Sequence, residues 1–522
     1  MYDYIVVGAG SAGCVVAART AERGTKVLLL EAGGRDESPL IRIPATYAAL
    51  QDTHMDWGYR TVSQPQLNGR RIFWPRGRVL GGSSSLNYMC YVRGNRGDYD
   101  HWRQLGNVGW GYDDVLPYFK RAEKNERLND RFHGTSGPVS VRDNRNRRLG
   151  EIFIEASIEQ GLRYNEDFNG AEQEGCGILQ CTIDDRGRCS TAVGYLRPVA
   201  DSGNPTVETN ALAIRLIIEK DRAVGIQYLT PRGLESAYAS VEVILCGGAI
   251  NSPQLLMLSG IGPADELREA GIEPVHDLPG VGRNLQDHLG CRLRCEISEP
   301  LTIYGMSADE LQMAQRECLE HGTGPLATSL FEAGAFARCD TASAHPDVQI
   351  MCISTFGTEL DGAVPDRHGV MLGLCVLRPR SRGEMRLRSA NPLDKPALDP
   401  KYLSDPDDLR LTLLGLRFTR RIAASRAFAK VAAAEVWPGP GALSDTDLAS
   451  YVRRTASTYF HPIGTCKMGD DEMSVVDAAL RVRGIDGLRV ADGSIMPTLV
   501  SGNTNAPIIM IGEKAADLLL AG

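Results

Sequence analysis

Apolar residues in this chain come in short β-branched runs separated by amphipathic stretches, and that alternation predicts strands laid between helices. Tyr4-Ile5-Val6-Val7 is a continuous apolar run, as expected of a parallel strand covered on both faces. Residues 11–23 read as a helix in which Ala12, Ala17 and Ala18 allow close packing on a sheet. Lys26-Val27-Leu28-Leu29-Leu30 predicts a second buried strand ending in Glu31. Further strand-like runs lie at 206–209, 212–219, 225–228, 241–246 and 488–493. Between residues 300 and 446 the texture changes. Residues 347–353 and 369–376 read as strands, and 382–388 alternate polar and apolar like a half-exposed antiparallel strand. Residues 405–425 predict an amphipathic helix capped by Asp405, with an apolar face of Leu409, Leu413, Leu416 and Ile422.

The glycines between the first strand and helix add chemistry. In Gly8-Ala9-Gly10-Ser11-Ala12-Gly13 the first glycine permits a tight turn, the second a close approach of backbone to pyrophosphate, and the third close helix–strand packing. The N–H groups and dipole at the helix start then suit a diphosphate. Glu31 stands where a carboxylate accepts bonds from an adenosine ribose, and an acid there disfavours a 2′-phosphate. The unit alone does not separate NAD from FAD. Three more segments bear on that choice: the glycine- and serine-rich turn at 76–87, the strand 241–246 running into Gly247-Gly248-Ala249, and the strand 488–493 ending in the acid Asp492.

With Ser252-Pro253-Gln254-Leu255-Leu256-Met257-Leu258-Ser259-Gly260-Ile261-Gly262 and the late Asn503-Thr504-Asn505-Ala506-Pro507, these segments resemble the glucose–methanol–choline flavoprotein oxidoreductases, in order from Tyr4 to Leu519. The run Tyr91-Val92-Arg93-Gly94-Asn95-Arg96-Gly97-Asp98-Tyr99-Asp100 is most similar to the choline-dehydrogenase-like alcohol dehydrogenase branch. The resemblance implies an α/β molecule: a discontinuous Rossmann-type FAD-binding domain (1–150, 200–295 and 455–522) interleaved with a substrate domain built on an antiparallel sheet (151–199 and 296–454). It also implies FAD-dependent oxidation of a primary alcohol to the aldehyde. The family includes oxidases that use oxygen, cyanohydrin lyases and a light-driven fatty-acid decarboxylase, which stand as alternatives.

Composition narrows the partners. The 57 basic and 65 acidic residues give a net charge of −8, with no basic tract of the kind nucleic acid requires. Thirteen cysteines, an odd number spread singly, point to free thiols and a cytoplasmic setting, with contact at a membrane surface left open. No secretory signal is expected ahead of the first strand. Cys176, Cys181 and Cys189 lie near one another without metal-ligand spacing, so no metal is expected.

Oxidising an alcohol removes a proton from oxygen and a hydride from carbon, so a base and a partner for the developing alkoxide are needed. Nine histidines are available, and His461 stands out in Tyr459-Phe460-His461-Pro462, where the following proline restricts its backbone. The resemblance makes His461 the base and Asn505 its hydrogen-bonding partner. It further implies that Gly8, Gly10, Ser11, Ala12 and Gly13 form the pyrophosphate turn, and that Glu31 and Ala32 meet the adenosine, with Trp57 over the adenine. Val79, Gly82, Ser83, Asn87 and Cys90 would line the flavin. Val207 would bond adenine through its backbone, Asp492 would hold a pyrophosphate or ribityl group, and the helix opened by Ala506 and Pro507 would face the pyrimidine edge. Some relatives attach FAD through a His just before the asparagine; here that residue is Leu86, so FAD is expected to be non-covalent. Glu332 and Glu359 are candidate carboxylates for a cationic substrate, His288 is expected to be structural, and electrons are expected to leave to an external quinone, dye or oxygen.

Overall fold

The computed structural model describes residues 1–357 and 367–521. Two seven-stranded sheets organise the chain. In the first, Tyr2–Val7 lies parallel between Val27–Glu31 and Gly233–Leu245, and Thr206–Thr209 extends the parallel part beyond Val27–Glu31. The apolar run Ile5, Val6 and Val7 is buried, with the helix Gly13–Ala21 packed against its strand. Gly233–Leu245 is long enough to serve twice: its first half pairs antiparallel with Arg222–Thr230, and its end runs parallel to Tyr2–Val7 and Leu488–Val490. The first helix, Gly13–Ala21, packs against the helix Asn505–Leu520. A Cβ on Gly512 would lie 2.9 Å from the Ala12 carbonyl oxygen, and Arg19 pairs with the buried Glu513 at 2.9 Å.

The second sheet is antiparallel throughout, in the order Ala434–Trp437, Leu289–Glu296, Gly369–Val376, Val348–Ile353, Phe331–Ala337, Gly175–Ile178. Two strands foreseen in the sequence, 347–353 and 369–376, stand at its centre. Leu289–Glu296 belongs to this sheet, paired with Gly369–Val376. The short strand Ser457–Thr458 also pairs with Leu289–Glu296, which brings the segment leading to His461 under the sheet.

Two other elements differ from the pattern. Only Glu384–Arg386 of the alternating stretch 382–388 forms a strand, paired with Ala397–Asp399. The amphipathic helix is Pro406–Ala423, and Asp405 caps it by accepting from Asp407 N–H. Its buried face is turned from the expected one: Leu411, Gly415, Leu416, Phe418 and Ile422 are buried, whereas Leu409 and Leu413 are half-buried. Gly415 explains the rotation, because a Cβ there would lie 3.1 Å from the Val348 methyls. All thirteen cysteines are free thiols. Among the described residues no helix is long and apolar enough to cross a membrane.

Candidate active site

The first strand stops at Val7 because Gly8 takes φ +101°, where a Cβ would lie 2.7 Å from the Cys246 carbonyl oxygen. A Cβ on Gly13 would lie 1.8 Å from the Gly8 carbonyl oxygen, so helix and strand approach at a distance glycine alone permits. Gly82, at φ +53°, presses the second glycine-rich turn onto the first: its Cβ would sit 2.7 Å from Gly10 Cα. Between these close approaches runs a groove of about 440 Å³. Gly8, Gly10, Ser11, Ala12, Glu31, Ala32, Trp57, Gly82, Ser83 and Asp492 all line it.

The groove's polar groups are fixed before anything binds. Glu31 accepts from Ala9 N–H at 3.0 Å and Gly33 N–H at 2.8 Å, and burial pushes its pKa up to about 7. Asp492 accepts from Gly248 N–H at 2.8 Å, the Ser252 hydroxyl at 2.5 Å and Ser494 N–H at 2.8 Å, and burial raises its pKa too. Trp57 stacks on Tyr59, with ring centroids 5.8 Å apart, and carries the Arg78 guanidinium 5.0 Å from its ring. A helix start with open N–H groups, a buried carboxylate and a flat aromatic surface in one elongated groove fit an adenine dinucleotide.

Other expected contacts fall elsewhere. Val207 sits in the ladder opposite Leu29 rather than on the groove wall. The chain turns at Asn210 (φ +54°), and residues 211–213 form that wall instead. Val79 is buried beside Gly34, outside the lining. Pro507 occupies the first turn of the helix Asn505–Leu520, and its neighbour Ile508 reaches the groove.

A second cavity, of about 100 Å³, adjoins the groove. Ser11, Arg76, Gly77, Ser83 and Ile508 line both. The rest of its wall includes Gln51, Leu86, Asn87, Tyr88, Cys90, Tyr459, Phe460, His461, Asn503 and Asn505. The backbone that presents His461 is heavily restrained. Phe460 adopts φ +67°, costly for an aromatic residue, and is held there by Thr458 Oγ1 at 2.7 Å from its N–H and by Arg76 Nη2 donating to its carbonyl at 2.6 Å. Asp287 Oδ1 accepts from His461 N–H at 2.7 Å, while Oδ2 takes the Thr458 hydroxyl at 2.6 Å and the Tyr402 hydroxyl.

The His461 ring meets two side chains. Its Nδ1 lies 2.8 Å from His288 Nδ1, and its Nε2 lies 3.3 Å from Asn503 Nδ2. Burial, then His288 and Arg76, hold its pKa well below the usual imidazole value. The amide against the ring is thus Asn503. Asn505 also lines the cavity, but its Oδ1 accepts from the Ser11 hydroxyl at 2.8 Å and so ties the cavity to the phosphate turn. His288, expected to be structural, is a direct neighbour of the candidate base. Both Asp287 and His288 of the stretch Asn284-Leu285-Gln286-Asp287-His288 touch His461. Tyr459 lies flat over the antiparallel sheet, where Cβ atoms on Gly290 and Gly373 would collide with its ring and hydroxyl at 1.9 and 2.5 Å. Among the described residues its buried hydroxyl has no hydrogen-bond partner. None of the described residues lining this cavity is a carboxylate. Glu332 lies outside it, accepting from Gly150 N–H at 2.8 Å, and Glu359 falls outside the described residues.

Comparison with known proteins agrees with this geometry. Residues 2–290 and 379–512 match the N- and C-terminal parts of the family described as GMC oxidoreductase. The chain belongs to the GMC oxidoreductase family. Among its GMC relatives, the alcohol dehydrogenase [acceptor] of Pseudomonas putida is 42% identical, covering 100% of this chain and 96% of that one. The mitochondrial choline dehydrogenase of Homo sapiens is 44% identical over 99% of this chain and 89% of its own length. Among solved structures, pyridoxine 4-oxidase from Mesorbium loti superposes with a TM-score of 0.89 at 33% identity, covering 99% of each chain. Formate oxidase from Aspergillus oryzae superposes with a TM-score of 0.94 at 27% identity, covering 100% of this chain and 98% of that one.

Proposed function

We propose that this GMC oxidoreductase oxidises a neutral primary alcohol to the aldehyde with a non-covalently held FAD, His461 taking the hydroxyl proton. The observation that carries the reading is the junction of the two cavities. His461 Nε2 and the Asn503 amide share a small cavity with five residues that also wall the dinucleotide groove. FAD, held by Gly8, Gly10, Ser11, Ala12, Glu31 and Asp492, would supply the hydride acceptor. The hydroxyl proton passes to His461, and the amide donor of Asn503 steadies the oxygen as charge builds on it. Tyr88, Phe460 and Tyr459 exclude water from the reacting carbon. At the covalent-attachment position Leu86 offers no nucleophile, which supports a dissociable cofactor.

The electrostatics favour a neutral substrate over choline. The described cavity wall presents no carboxylate, and the guanidinium of Arg76 reaches it. An ammonium group would therefore be desolvated without a counter-charge beside a fixed cation. Electrons then leave to an external acceptor, a quinone, dye or oxygen.

Anaerobic mixing with a panel of primary alcohols tests the whole reading. Neutral alcohols should bleach the bound flavin and choline should not, and acid precipitation should release FAD into the supernatant. A flavin that no alcohol bleaches would overturn the assignment, and bleaching by choline alone would overturn the substrate class. Re-oxidation by oxygen against a quinone or dye then assigns the acceptor.

A further inference from the structure

His461 has two ring nitrogens, and only an unprotonated one can act as base. Three contacts decide which it is. His288 Nε2 lies 3.0 Å from the Leu377 carbonyl oxygen. A carbonyl carries no hydrogen, so His288 Nε2 must hold the proton and donate it. Buried His288 is a neutral imidazole, its pKa lowered to about 4 chiefly by burial, so its Nδ1 is a bare lone pair. That lone pair stands 2.8 Å from His461 Nδ1, and two lone pairs do not sit at that distance without a proton between them. The proton therefore resides on His461 Nδ1. Neutral His461 is then bare at Nε2, the nitrogen beside the Asn503 amide in the substrate cavity.

We propose that His288 is a positioning residue that locks His461 in the Nδ1–H tautomer and aims its Nε2 lone pair at the alcohol. The inference rests on His461 being the base. The perpendicular setting of the rings, 85° between planes, aims the His461 N–H along the lone pair of His288 and fixes the ring's rotation. A carboxylate in this place would make the base stronger and slower to give the proton up again. A neutral imidazole orients without adding charge. The charged groups around the pair keep that balance. Asp98 and Arg378 act on His288 with opposite sign, Arg76 acts on His461 as a like charge, and Asp287 is occupied by the His461 backbone N–H. When His461 takes the alcohol proton on Nε2, its Nδ1–H bond to His288 becomes charge-assisted and shortens, so His288 favours the protonated product without changing its own protonation.

The test uses the FAD-loaded enzyme and its variants H288L, H288Q and H461A. Flavin-reduction rates are measured per bound FAD, and ring tautomers by 15N NMR of histidine-labelled protein. In the wild type, the NMR should show His461 protonated at Nδ1 and bare at Nε2. H288L should slow flavin reduction about 10- to 100-fold, the loss expected when a buried donor goes unpaired, while FAD content holds. H288Q should recover to within about threefold of wild type, since its amide can accept from His461 Nδ1–H and donate to Leu377. A proton on His461 Nε2 in the wild type would overturn the proposal. So would an H288Q enzyme as slow as H288L, or an H288L enzyme as fast as wild type. If H288L does not fold, the wild-type tautomer and the H288Q rate decide. A normal rate in H461A would sink the base assignment instead, and the tautomer measurement would still report whether His288 grips the ring.

Discussion

His461 is held from both ends: by backbone contacts through Asp287, Thr458 and Arg76, and by ring contacts through His288 and Asn503. Truncating the ring should therefore leave the frame standing. H461A is expected to keep its FAD and to lose about 10²–10⁴-fold in flavin-reduction rate per bound FAD, measured by rapid mixing. Burial, His288 and Arg76 all disfavour the imidazolium, so the His461 ring stays deprotonated to lower pH than a free histidine. The acid limb of the reduction rate should accordingly lie below about pH 6.5. The two asparagines should part company. N503A removes the donor beside Nε2 and should slow reduction by up to about 10²–10³-fold, whereas N505A breaks the bond to Ser11 and should chiefly weaken FAD retention. The sequence identified His461 from its His-Pro neighbourhood and family resemblance. It named Asn505 where the structure sets Asn503 against the ring, because that register depends on where the turn at Gly502 (φ +148°) sets the helix start. It could not place His288 on the base, a contact spanning 173 residues.

At the scale of elements, the strand–turn–helix start was legible because its glycines answer to local geometry. G82A should show why. A methyl group at φ +53°, 2.7 Å from Gly10 Cα, must force the two turns apart. FAD loading is expected to fall at least tenfold, with circular dichroism nearly unchanged. The helix Pro406–Ala423 shows where pattern reading fails. Counting leucines selected Leu409 and Leu413, but burial follows the face that carries Gly415, because a small residue lets the helix settle against Val348. Hydrophobic periodicity scores large side chains and overlooks the absent ones that set helix–sheet distance. Val207 is a related case: strand character was evident at 206–209, but which residues reach the groove depends on the turn at Asn210.

The whole molecule joins its two parts through buried charge as well as apolar packing. Arg93 pairs with Glu123 at 2.7 Å, and His133 bridges Glu123 at 3.1 Å and Asp167 at 2.9 Å, with the His133 side chain fully buried. Burial opposes a charge on His133, yet the two carboxylates outweigh it and raise its pKa to about 9. A histidine whose folded pKa exceeds its unfolded value of 6.5 stabilises the fold fully below pH 6.5 and loses that contribution as pH rises through 9. The melting temperature should fall by about 2 °C between pH 7 and 9.5, and H133Q should flatten that slope. The parallel sheet was legible from strand texture, whereas the antiparallel sheet was what the family resemblance implied.

The cofactor groove draws on Gly8 and Glu31 and on Asp492 and Ile508, from segments far apart in the chain, and the helix Asn505–Leu520 braces the first helix through Glu513. A nascent chain holding the glycine turn alone owns half a groove and exposes the apolar flank of its first helix. Flavin supply should therefore govern yield once the second half of the groove has been synthesised: riboflavin starvation during expression should leave polypeptide that ends in inclusion bodies, while flavin given only after release rescues little of it.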